Sequence, residues 1–140
     1  MKHKSLPNQS QSNLFISLLK EMLDPNNELY QLADKIDWQS IEKEFEPLYS
    51  KQGRPAHAIR LMVSLLILKQ LYNLGDETLP SAWVQNPYFQ YFSGYDVFQW
   101  KFPVAPSDLV HFRKRIGKHG AEFILKASLD IQDQRKVTCS

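Results

Sequence analysis

Residues 107–118 read Ser-Asp-Leu-Val-His-Phe-Arg-Lys-Arg-Ile-Gly-Lys, the densest gathering of cations in the chain. At about 100° per residue on a helix, Leu109, Phe112 and Ile116 fall on one narrow stripe. The sector opposite that stripe then holds His111, Lys114, Arg115 and Lys118, with Ser107 beside them. Lysine and arginine neutralise phosphates, and arginine grips guanine through two parallel hydrogen bonds, so such a face can dock on duplex DNA. An ordinary solvated helix also carries cations on its outer face, and the pattern alone leaves both readings open. Arg113 lies close to the apolar edge, where it is placed to pair with a carboxylate such as Asp76 or Glu77.

Other chemistries find less support. The four histidines, His3, His57, His111 and His119, are far apart and have no carboxylate or cysteine at metal-ligand spacing, so no metal site is expected. Glu42, Glu44 and Glu46 alternate, but on a helix they fan over the solvent side and do not converge as catalytic carboxylates. There is no glycine-rich phosphate loop. Cys139 is the one cysteine, close to the C-terminus and without preorganised neighbours, which disfavours a nucleophile, a disulfide framework and a thiolate metal set. No catalytic residue is assigned.

The elements that must position the basic segment follow from periodicity. The chain has 140 residues, about one domain's worth, and 43% apolar and 23% charged residues suit a globular protein. Five glycines and few β-branched runs favour helices over a many-turned β fold. Leu14, Phe15, Leu18, Leu19 and Met22 recur at helical spacing behind a Ser12 or Asn13 cap, and Asp24-Pro25 ends that helix. A second helix uses Leu29, Leu32, Ala33 and Ile36. A third opens at Asp37 with Trp38, Ile41 and Phe45 on one side and closes at Pro47.

From Ala56 to Asn73 the chain is apolar nearly all round, which predicts a buried hub. Leu74-Gly75-Asp76 is read as a tight turn, with Gly75 at the helix C-terminus and Asp76 capping a segment that runs to Gln85; helix, turn and short helix make a helix-turn-helix-like layout. After Asn86-Pro87, Phe89 and Phe92 are expected in the core of a short helix. Residues 93–104, with Tyr95, Phe98 and Trp100, read as a loop or a hairpin. Ser107 is the expected cap of the basic helix, which should end at Gly117 or Gly120.

Charge is uneven along the chain: residues 1–50 carry −3, residues 51–104 carry +2 and residues 105–140 carry +3. The net +2 is too small to argue for nucleic acid by itself, so placement must decide. No secretory signal is evident after Lys2 and Lys4, and the densest apolar run, Leu61 to Leu68, is far short of the roughly 20 residues a bilayer requires. A cytoplasmic protein without a membrane span is expected.

Several separated motifs then carry a resemblance. Gly53-Arg54-Pro55, Arg60-Leu61-Met62, Leu68-Lys69, Gly75-Asp76-Glu77, Asn86-Pro87-Tyr88-Phe89-Gln90-Tyr91-Phe92 and Phe112-Arg113-Lys114-Arg115-Ile116-Gly117 occur in an order that resembles the N-terminal domain of bacterial insertion-sequence transposases, of the insertion-sequence-five type. The resemblance implies an all-α, compact multi-helix domain that helps bind the terminal inverted repeats of a mobile element. It divides the chain into an N-terminal stretch 1–13, a helical DNA-binding domain 14–130 and an unmatched polar tail 131–140. The family's Asp-Asp-Glu triad, which holds divalent metal for DNA strand cleavage and joining, belongs to a further domain, and none of its residues maps onto this sequence. The expectations are therefore a truncated or partial transposase that is not an enzyme by itself, needs no cofactor, and takes double-stranded DNA as its partner. His111, Lys114, Arg115, Lys118, Ser107 and Arg54 form the candidate contact set. Self-association, or pairing with a full-length transposase as a helical interaction module, is the alternative.

Overall fold

The computed structural model describes residues 18–47 and 57–139, with side chains described through Asp130. Ser12, Asn13, Leu14, Phe15 and residues 48–56, Arg54 and Ala56 among them, lie outside the described residues. Among the described residues there are seven helices and no strand: α1 Leu19–Met22, α2 Glu28–Lys35, α3 Trp38–Phe45, α4 Ile59–Tyr72, α5 Leu79–Gln85, α6 Pro87–Phe92 and α7 Pro106–Cys139. The all-α expectation holds.

Local chemistry sets most of the boundaries. α1 ends at Met22, with Leu23 extended, just ahead of Asp24-Pro25. Asn27 caps α2 by accepting hydrogen bonds from the backbone N–H groups of Leu29 and Tyr30, and Asp37 caps α3 by accepting from that of Ser40. Asn86 ends α5 and begins α6, its side chain accepting from Tyr88 N with Pro87 in the first turn.

α4 is the hub. Leu61, Met62, Val63, Leu65, Ile67 and Leu68 are buried around its whole circumference, so no single side is left for water. α3 packs on one side and α7 on another, while α6 gathers α1, α2 and α5. Trp38, Phe45, Trp83, Phe89, Phe92, Phe112 and Ile124 complete one continuous core. Leu66, although central in sequence, is half-buried at a groove facing Ile116, Ile124 and Leu125.

Three boundary details differ from the sequence reading. α4 begins at Ile59, since His57 and Ala58 are not helical. Its C-terminal left-handed position is taken by Asn73, at φ 54° and ψ 49°, and not by Gly75. Asparagine tolerates this conformation because its short polar side chain adds little steric cost. Asp76 does not cap α5: its carboxylate is drawn instead to Lys69 and Arg113.

α7 contains a break. Gly117 has φ 66° and ψ −167°, so residues 106–116 and 118–139 are two helical arms that meet at an angle. This conformation is close to glycine-only. Three residues later, a Cβ on Gly120 would sit 2.5 Å from the Ile116 side chain and 3.0 Å from that of Phe45, so the second arm crosses back against the first and against α3 at a point with no room for a side chain. The predicted stop at Gly117 is thus present, but the chain resumes a helix at once, and its backbone stays helical through residues 131–139.

Core burial and the glycine break each have a measurable consequence for stability. Leu65 is fully buried in α4. Leu65→Asp places an unpaired charge there, at a cost comparable to a whole domain's stability of about 5–15 kcal/mol, so thermal melts followed by circular dichroism should lose their cooperative transition. At Gly117 a Cβ meets nothing within 4 Å, so Gly117→Ala isolates backbone strain from crowding. It should destabilise by about 1–3 kcal/mol, read as a lowered Tm.

Candidate nucleic-acid interface

The first arm of α7 has the two faces its periodicity requires. Leu109, Phe112 and Ile116 are buried, Phe112 against Phe45 at 6.2 Å between ring centroids. Ser107, His111 and Lys114 are exposed on the other side, and Arg115 is half-buried. Val110 is also exposed there, so the outer face is not purely polar.

How that arm is anchored explains why its outer face stays cationic. Arg113 reaches across the surface to Asp76, Nη2 donating to Oδ1 at 2.6 Å and Nη1 to Oδ2 at 3.3 Å, a two-pronged contact that fixes angle as well as distance. Lys69 of α4 shares the same carboxylate. The turn after α4, α4 itself and α7 are thereby tied at one point. These two cations hold the Asp76 carboxyl well below the usual carboxylate range. At the start of the arm, Asp108 Oδ2 lies 2.9 Å from His57 Nε2 and accepts from Ala105 N at 3.2 Å. The hydrogen bond from His57 is the main cause that lowers the Asp108 carboxyl as well. Both acids are therefore already engaged by basic or imidazole partners.

Several residues sit elsewhere than their spacing along the chain predicts. Ser107 does not cap the arm: it lies within the first turn, after Pro106, and Asp108 does the reaching back. Lys118 is exposed, but the Gly117 break sets it on the second arm, so it does not continue the row of His111 and Lys114. Two histidines that had no carboxylate neighbour in sequence have one in space, His57 with Asp108 and His119 with Glu44 at 3.5 Å. The reason is that helix packing joins positions 51 and 75 residues apart, which spacing along the chain cannot reveal. Among the described residues no group of three or more His, Cys, Asp or Glu side chains gathers as a metal site, and Glu44 and Glu46 face solvent.

Sequence reading missed two further features. Arg60 is half-buried with its guanidinium 4.5 Å over the Trp38 ring, and burial lowers its proton affinity. The other is the brace on residues 93–105, which form the loop and not the hairpin of the two readings: it is held by the fully buried Gln90. The Gln90 Nε2 donates to Gln99 O at 2.9 Å and to Val84 O at 3.3 Å, while its Oε1 accepts from Gln99 N at 2.6 Å. Trp83 stands edge-to-face with Tyr95 and Phe102 and donates from Nε1 to Ser93 Oγ at 3.0 Å. A glutamine at a position with core spacing, inside a run of aromatics, was the available signal.

Comparison with known proteins bears on what this face is for. Residues 17–115 match a family model described as a transposase domain (DUF772). An uncharacterized protein, ORF8 in the nfe locus of Rhizobium meliloti, is 40% identical over 126 residues, covering 90% of this chain. The chain spans 61% of that relative's length. No solved structure matches. The family match runs through α1 to α6 and the first arm of α7, and stops two residues short of the Gly117 break.

The carboxylates that brace the arm set its acid sensitivity. Asp76 and Asp108 have folded-state values below the roughly 3.9 of an unfolded aspartate, so their contribution is fully present above about pH 4 and is lost as pH falls further. Because Asp76 is largely exposed, its pairs are screened and worth at most about 1 kcal/mol. Asp76→Asn should lower the Tm modestly at pH 7, more at low salt than at high salt, and the difference from wild type should shrink progressively as pH falls below about 4.

Proposed function

From membership of the transposase-domain (DUF772) family, to which the chain belongs, we propose that it binds double-stranded DNA at the ends of a mobile element, through the outer face of the first arm of α7. The observation that carries this reading is the pairing of a buried stripe, Leu109, Phe112 and Ile116, with an exposed face of Ser107, His111 and Lys114, while the acids Asp76 and Asp108 are already engaged by Lys69 and Arg113 and by His57. A helix so disposed fits the major groove with its cations on phosphates. The helix-turn-helix-like unit of α4, the 73–78 turn and α5 supports it through the Asp76–Arg113 contact. Arg115 and Lys118 flank the face. Arg54, outside the described residues, completes the contact set. No chemical step and no cofactor is assigned to these residues: in this reading the chain is the DNA-recognition part of a transposase, and metal-dependent strand cleavage and joining fall to an Asp-Asp-Glu domain.

A second reading, as an interaction module that pairs with a full-length transposase or with itself, has its own observation. Leu125 and Leu129, one turn apart on the second arm, are both exposed. No helix among the described residues is long and apolar enough to cross a membrane, so neither reading places the chain in a bilayer.

A salt titration separates the two. Lys114→Ala should weaken binding to cognate and scrambled duplexes alike and reduce the slope of log K against log salt by roughly 0.9, the value for one phosphate no longer neutralised. Lys118→Ala, beyond the break, should act independently and additively. Identical curves for wild type and Lys114→Ala would return the basic face to plain solvation. A Leu125→Glu/Leu129→Glu protein that stays monomeric where the wild type self-associates would then favour the interaction module.

A further inference from the structure

Past the Gly117 break, the second arm of α7 carries rows of side chains at i, i+4 spacing, which lie side by side on a helix. Gly120, Ile124 and Ser128 are buried against the core. Ala121, Leu125 and Leu129, the next row, are exposed, the two leucines at 43% and 51%. Beyond them Lys118, Glu122, Lys126 and Asp130 are exposed as well. On the other side of the apolar row a hollow of about 240 Å³ opens, lined by Leu66, Ile116, Ile124 and Leu125. An apolar ridge with a hollow beside it and charges along its outer edge has the anatomy of a helix-pairing seam.

The order of the charges selects the occupant. Along the arm they run plus, minus, plus, minus and sum to zero, so the row offers nothing to a uniformly charged partner such as nucleic acid or an anionic surface. A spacing of four lets neighbours pair within the helix, yet among the described residues none of these four is in an ion pair. Read backwards, the row reverses every sign. When two copies of a helix pair antiparallel about a two-fold axis, each flank meets the same flank running the other way. With the axis beside Leu125, Lys118 then faces Asp130 of the second copy and Glu122 faces its Lys126, each contact made twice. The same register sets Leu125 against its own copy and the bulk of Leu129 against the small Ala121. On the opposite flank Lys69 and Arg113 also approach their copies, but Asp76 already engages both. A parallel pair would set the charged flank against the hollow and leave all four charges unmatched.

We propose that the second arm of α7 is a self-association surface, on which two copies of this chain pair antiparallel through Leu125 and Leu129, with Lys118 and Glu122 set on Asp130 and Lys126 of the second copy. The proposal rests on the interaction-module reading above and gives that module its partner and orientation. It makes no use of Ser107, His111 and Lys114 on the first arm.

The test is sedimentation of the full 140-residue chain over a range of concentrations, with thermal melts as the control for folding. Wild type should form a reversible dimer, and Leu125→Glu should be monomeric with an unchanged melt. Glu122→Lys and Lys126→Glu should each weaken the dimer roughly tenfold, since either change sets like charges together at two symmetric places. Mixing these two variants, one of them fluorescently labelled, should bring association back to about the wild-type level. The mixed pair regains opposite charges at both places, whereas damage within one helix cannot be repaired by another chain. A mixture no tighter than either variant alone overturns the antiparallel pairing, while a monomeric Leu125→Glu would still leave association through the leucines standing. A wild type that stays monomeric at its highest soluble concentration, or a dimer that Leu125→Glu leaves intact, overturns both.

Discussion

A fourteen-residue helix with no polar side is an obligation on everything around it. α4 buries side chains in every direction, and each exposed flank would cost about 25 cal/mol for every Å² of apolar surface left in water. The obligation is met from different parts of the chain: α3 from the acidic N-terminal region, and both arms of α7 from the basic C-terminal region. The first arm of α7 is therefore held in place by core packing. Its outer face is then free to be whatever function requires.

The Gly117 break is how one C-terminal stretch covers a wide helix. A straight continuation would carry residues 118–130 off the hub after a single crossing. The glycine-only conformation turns the chain so that Ile124 and Ser128 return to buried positions, and the bare backbone at Gly120 lets the crossing close against Ile116 and Phe45. The Ser128 hydroxyl, fully buried, is satisfied by donating to Ile124 O at 2.9 Å. The same turn separates Lys118 from His111 and Lys114, so a device of packing also decides which cations share a face.

Polar groups inside the fold position its parts in a similar way. Asp76 ties the turn after α4 to Arg113, Asp108 ties the start of α7 to His57, and Gln90 holds the 93–105 loop by its backbone. Removing one partner of such a contact leaves a stranded polar group, which is why these residues matter more than their number suggests. Together they engage these two acids and the Gln90 amide, and Lys114, His111 and Trp100 face out.

Much of this was legible in the residues. Periodicity located the hub, the buried stripe of Leu109, Phe112 and Ile116, the Asn86-Pro87 boundary and the place of Arg113 at the apolar edge, because each depends on spacing within one helix or on a short-range preference of one residue type; which of Asp76 and Glu77 would pair with Arg113 stayed open until the fold chose Asp76. The order of separated motifs, from Arg60-Leu61-Met62 to Phe112-Arg113-Lys114-Arg115, was enough to indicate a transposase domain. Tertiary structure alone decided what depends on contacts between distant segments. Asp76 leaves the cap of α5 because Lys69 and Arg113 draw its carboxylate away, and Asn73 rather than Gly75 takes the left-handed position at the end of α4. His57 and His119 acquire carboxylates only when α7 folds back on the earlier helices. Lys118 leaves the basic row because Gly117 turns the chain, and Trp100 stays out because the amide of Gln90 grips the backbone beside it.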